Sequence, residues 1–110
     1  MRMLFTVVTD TEAGTRAIEN GTAQQSIKEA LERLKPEAAY FYLQNGKRTT
    51  LFVLDLADPS EIIPLVEPLF SLVKAEVSLT PVMNVDELFE GFRALGVAKA
   101  NGDSASLERG

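Results

Sequence analysis

The 110-residue chain contains no cysteine and no histidine. Without cysteine there is no disulfide, no thiolate nucleophile and no zinc–thiolate site. Without histidine, the commonest general base near neutral pH and the commonest transition-metal ligand are both missing. Tryptophan is absent as well, which leaves six Phe and two Tyr for any aromatic role. Positive charge is scarce: 11 Lys and Arg stand against 16 Asp and Glu, for a net charge of -5. That balance disfavours a nucleic-acid reader, which needs a basic face for phosphates. It equally disfavours docking on an anionic membrane. No apolar run approaches the ~20 residues of a membrane span. The opening MRMLFTVVTD is too short for a signal-peptide core and reaches Asp10 without a small-residue cleavage site, so a cytoplasmic protein is expected. No GxGxxG or Walker-type phosphate loop occurs.

What remains has the composition of a globular domain, and a chain of this length buries roughly two-thirds of its unfolded surface. Met3 to Thr9 is apolar and β-branched, a strand pattern. Thr11 to Gly14 reads as a break and Thr15 to Asn20 as a short helical turn. Ala23 to Lys35 carries Ile27, Ala30, Leu31 and Leu34 at helical spacing, and Pro36 ends it. Ala38–Gln44 and Lys47–Leu56 flank Asn45-Gly46, the strongest short hairpin signal, because both turn residues need positive φ.

Asp58-Pro59-Ser60-Glu61 is a helix start with a capping-box-like pattern. Ile62, Val66, Leu69, Phe70 and Val73 are its expected buried stripe, and Pro68 is expected to bend or divide it. Ala75–Val82 alternates as a fourth strand, with Pro81 marking an edge or an end. Asn84 to Glu87 opens a last helix whose apolar side holds Leu88, Phe89, Phe92 and Leu95, with Gly96 as its stop. Residues 97–110 lose periodicity and read as a disordered tail.

The order is β-α-β-β-α-β plus a C-terminal helix, an α+β, ferredoxin-like topology with an antiparallel four-stranded sheet and both main helices on one face. One domain over residues 1–96 is expected. The Asn-Gly turn fixes the register and hence the faces. Ala39, Phe41, Leu43, Thr50, Phe52 and Leu54 form the face expected under the helices. Tyr40, Tyr42, Thr49, Leu51, Val53 and Asp55 form the other, which is too apolar for bulk water. A second copy of the chain would cover it, since two-fold homodimers are the commonest oligomers. The C-terminal helix folding back over that face is the other solution.

Several stretches carry a resemblance: Met1-Arg2-Met3-Leu4-Phe5, Leu34 to Phe41, Asp55 to Ser60, Glu67-Pro68-Leu69-Phe70 and Pro81 to Leu88. On these the chain resembles the dimeric α/β-barrel superfamily, and more narrowly small uncharacterised bacterial proteins distantly similar to muconolactone isomerase. The resemblance implies a homodimer packed sheet against sheet. It also implies a barrel-like cleft between helices and sheet or between protomers. It supplies no catalytic motif and no substrate.

Candidate chemistry is limited to carboxylates, phenols and hydroxyls. Tyr40, Tyr42 and Asp55 are catalytic candidates: a phenol could protonate an enolate-like ligand, and a desolvated Asp55 could act as base. Tyr is equally an interface residue with an apolar body and a polar tip. Thr6, Thr49, Ser78 and Thr80, with the two tyrosines, could line a ligand pocket, or the hydroxyls could satisfy one another across the sheet. Asp86, Glu87 and Glu90 could hold a hard cation, but acidic residues in a first turn are the ordinary answer to the helix dipole, so no metal site and no cofactor are expected. Arg16 reads as a solvated surface residue, and Lys47-Arg48 as a charged hairpin tip. The reading is a homodimeric, non-catalytic association or binding module, with an isomerase- or lyase-type enzyme acting on a small molecule as the alternative.

Overall fold

The computed structural model describes residues 1–96, and the expected disordered tail at 97–110 lies outside the described residues. Strand β1 (Arg2–Val8) passes directly into helix α1 (Thr11–Glu19). Asp10 caps α1 by accepting a 2.9 Å hydrogen bond from the Ala13 N–H. The helix therefore begins a full turn earlier than the sequence suggests. Gly14 is buried inside the helix, where a Cβ would lie 2.8 Å from Thr9 Cγ2 and 3.0 Å from Arg48 Nη1. Glycine here marks a close approach and does not break the chain.

Helix α2 (Thr22–Leu34) follows after Gly21, whose φ of 83° turns the chain between the two helices. Strands β2 (Ala38–Gln44) and β3 (Lys47–Asp55) form the hairpin, with Asn45 and Gly46 at φ 52° and 78°. Gln44 faces Lys47, Tyr42 faces Thr49 and Tyr40 faces Leu51, as the two-residue turn requires.

Asp58 caps a 3-10 turn over Pro59–Glu61 instead of closing a capping box with Glu61. Its carboxylate accepts from the Ser60 N–H at 2.9 Å and the Ser60 hydroxyl at 3.0 Å. Helix α3 (Ile62–Val73) then runs undivided past Pro68, at the loss of one backbone donor. Phe70, expected in its buried stripe, is instead exposed, and Leu65 takes the place in the core. The reason is angular: Phe70 stands two turns from Ile63 on the same outward stripe.

Strand β4 (Glu76–Pro81) leads to helix α4 (Val85–Ala94), where Asn84 and Glu87 complete a capping box.

The four strands form one antiparallel sheet in the order β2-β3-β1-β4. The architecture is α+β with a four-stranded sheet and four helices. Pro81 is tolerated because β4 is an edge strand. One face of the sheet supplies Met3, Phe5, Val7, Phe52 and Leu54 to the core, which Ala17, Leu65, Val66 and Val73 close from the helices. Phe5 is 2% exposed at the centre, 6.2 Å from the Phe52 ring. Burying such a side chain contributes about 1.5–3 kcal/mol.

The C-terminal helix does not fold over the opposite face. No residue of α4 is buried. The helix continues from the end of the sheet, and the described residues span 57 × 30 × 21 Å. Arg2 anchors its start, donating from Nε to Glu37 Oε1 at 3.0 Å and from Nη1 to Glu87. The Glu37 hydrogen bond, helped by the charges of Glu37 and Glu87, holds the guanidinium above its ordinary pKa. Among the described residues no helix is long and apolar enough to cross a membrane.

Candidate functional site

The two faces of the sheet present different surfaces. On the open face the strand pairings set up cross-strand rows. Tyr40, Leu51, Thr6 and Ser78 make one; Tyr42, Thr49, Val8 and Glu76 make the next; Ala38, Val53, Leu4 and Thr80 a third. The sequence candidates Thr6, Tyr40 and Ser78 therefore share a row, with Leu51 between Tyr40 and Thr6. Tyr40 is 65% exposed and Tyr42 40% exposed, while Leu4, Thr6, Leu51 and Val53 are half-buried with no helix above them. No hydrogen bond links Thr6, Ser78 and Thr80, so these hydroxyls do not satisfy one another among the described residues. The Thr49 hydroxyl is buried and donates to the Lys47 carbonyl at 3.1 Å.

Asp55 is not brought to the tyrosines. It sits at the far end of β3, opposite Arg2, and Thr49 beside Tyr42 is six residues away along the strand. That separation is about 20 Å in an extended chain. Its side chain is 80% exposed and accepts from the Met1 amino group at 2.7 Å. The desolvation that would suit it to act as a base is absent.

The other face holds a cleft. Its floor is the helix-side row Phe41, Thr50 and Val7, together with Phe52 and Phe5. One wall is α2, through Ala23, Ile27, Ala30 and Leu34. The other is α3, through Pro64, Leu65, Pro68, Leu69 and Leu72. The cleft is open to solvent on one side and has a volume of about 960 Å³, at the upper end of the range for small-molecule sites. It exists because α2 does not seal the sheet: no residue of α2 is fully buried, although Ala23, Ala30, Leu31 and Leu34 pack partly against the core. Tyr42 and Thr49 reach the cleft rim; Thr6, Tyr40, Ser78 and Thr80 do not line it.

One residue at this cleft was missed by the sequence reading. Arg48 does not extend from the hairpin tip. It lies on the helix-side face opposite Leu43 and folds back over α1. Its Nη1 donates to the Thr11 carbonyl at 3.3 Å and its Nη2 to Thr15 Oγ1 at 3.2 Å. Strand parity was the available signal, since Arg48 alternates in register with Thr50, Phe52 and Leu54.

Arg16 pairs with Glu12 at 3.1 Å on the surface of α1. Glu87 serves the α4 capping box and Arg2, and Glu90 pairs with Arg93 at 2.8 Å. Among the described residues no cluster of three or more acidic side chains is grouped to hold a metal ion. Compared with known proteins, the chain matches no family model and no curated protein.

Proposed function

We propose that this chain is a homodimeric, ferredoxin-like binding module of the dimeric α/β-barrel kind. Two copies pair through their open sheet faces, and each keeps its helix-side cleft for a small molecule. The observation that supports this reading is the unequal treatment of the two faces. One floors a cleft of about 960 Å³, and the other offers an apolar, hydroxyl-dotted surface that no described residue covers.

Size argues that the sheet does not act alone. Four strands are about 19 Å across and the paired stretch about 20 Å long, a projected area of about 400 Å². A standard interface takes about 800 Å² from each partner. Helix α4 can supply much of the difference, because Val85, Leu88 and Phe92, with Leu95 at its C-terminal end, are exposed and no residue of the helix is buried. Sheet face and α4 together form one self-complementary surface for a two-fold dimer.

The isomerase- or lyase-type alternative draws no support from the site, because Asp55 is solvated and remote from the phenol of Tyr42. Light scattering at micromolar concentration should give about 24 kDa, twice the 12.0 kDa of the chain. A mass of 12.0 kDa would sink the dimer. Tyr42→Glu should split the assembly, and an intact dimer in that variant would show that the wrong face has been chosen.

A further inference from the structure

We infer that the helix-side cleft takes a small amphipathic carboxylate, its apolar body between α2 and α3 and its anionic head on Arg48. This rests on the proposal that the cleft binds a small molecule at all, and adds the chemical class. Arg48 is half-buried at the cleft end, and no carboxylate among the described residues lies within 4 Å of it. A guanidinium stays charged and has five N–H donors in a fixed fork. Two of the five are used on the Thr11 carbonyl and Thr15 hydroxyl, both neutral acceptors. A half-buried cation held by neutral groups alone favours an anion placed against its remaining donors.

The geometry around Arg48 is built to hold it there. Gly14 leaves room for Nη1 where a Cβ would come to 3.0 Å, and the Thr11 and Thr15 bonds fix the fork over α1. Two more polar groups face the same space uncommitted. The hydroxyls of Thr50 and Ser26 line the cleft and make no hydrogen bond among the described residues. Both are free to donate to a polar group of a ligand in the cleft. The rest of the floor and the α3 wall is apolar, which suits an alkyl or aryl body and rejects a polyanion. Glu29 and Glu32 stand along the α2 wall, and Glu29 is engaged by the Gln25 amide at 2.8 Å. Arg33 lines the same wall, so α2 carries both signs of charge, and what singles out Arg48 is its half-burial and its fixing on Thr11 and Thr15.

Isothermal titration of the full chain with octanoate, octan-1-ol and octylammonium tests the inference. Octanoate should bind at least tenfold more tightly than octan-1-ol, the ratio that a charge-assisted hydrogen bond produces. Arg48→Met keeps the stem and removes the charge, so octanoate and the alcohol should become equal. Arg48→Lys should restore part of the preference, which separates lost charge from lost folding. Equal binding of octanoate and octan-1-ol to the parent protein would overturn the carboxylate assignment and leave the cleft reading standing. Tighter binding of octylammonium would overturn it too, and point to Glu29 and Glu32. If none of the three binds, both readings fail.

Discussion

The carboxylate of Asp58 accepts hydrogen bonds from the Ser60 N–H and the Ser60 hydroxyl, the backbone bond being the larger influence, and both favour its charged form. Its pKa in the folded chain is therefore below the ordinary value, despite a small opposing effect of burial. A group depressed in this way stabilises the fold above its unfolded pKa of about 3.9, and that contribution is lost as pH falls through the folded value. Asp58→Ala should accordingly melt at a lower temperature than the parent at pH 7. The gap should close as the pH is taken from 5 to below 3 in circular-dichroism melts. A gap that stays constant across that range would mean that the cap acts through shape and not through charge. At this scale the sequence was legible wherever the backbone dictated the residue. Asn45 and Gly46 announced their turn because few other residues accept positive φ. Arg48 was harder, because charge suggested the surface while strand parity pointed inward.

At the scale of elements, all four strands and the α2, α3 and α4 helices could be read from periodicity, and the hairpin register predicted both faces. The start of α1 was not legible, since Asp10 caps from outside the apolar pattern and Gly14 imitates a stop. Nor could the incomplete seal of α2 be read, because Ile27, Ala30, Leu31 and Leu34 form the same stripe whether a helix seals a core or walls a cleft. Helix α4 is where element and proposed assembly meet. Leu88 and Phe92 are exposed in one chain, so a charge placed there should leave the protomer intact. A Leu88→Glu, Phe92→Glu double variant should keep its urea stability within about 0.5 kcal/mol of the monomeric fold. The same variant should shift the light-scattering mass from dimer to monomer. A dimer that survives it would remove α4 from the interface.

At the scale of the whole molecule, each copy in the proposed dimer would bring a net charge of -5 to the other. Such an association would have to overcome repulsion, and for that the open face offers apolar area. Raising salt from 0.1 to 1 M shortens the screening length from about 10 to about 3 Å. The dimer mass should be unchanged or better held in 1 M NaCl. Dissociation there would reveal an ionic interface. No single stretch of sequence displays this balance, because it sums charges that local patterns never bring together.

The strand order also has a consequence in time. Strand β1 comes first in the chain yet lies inside the sheet, with β3 on one side and β4 on the other. Met3 cannot meet Pro81 until about 80 further residues have been made. Strand β1, first of the four in chain order, is thus paired on both sides only once β4 has been made. Its apolar residues must stay unpaired while the β2–β3 hairpin, built on contacts only a few residues apart, is ready to form first.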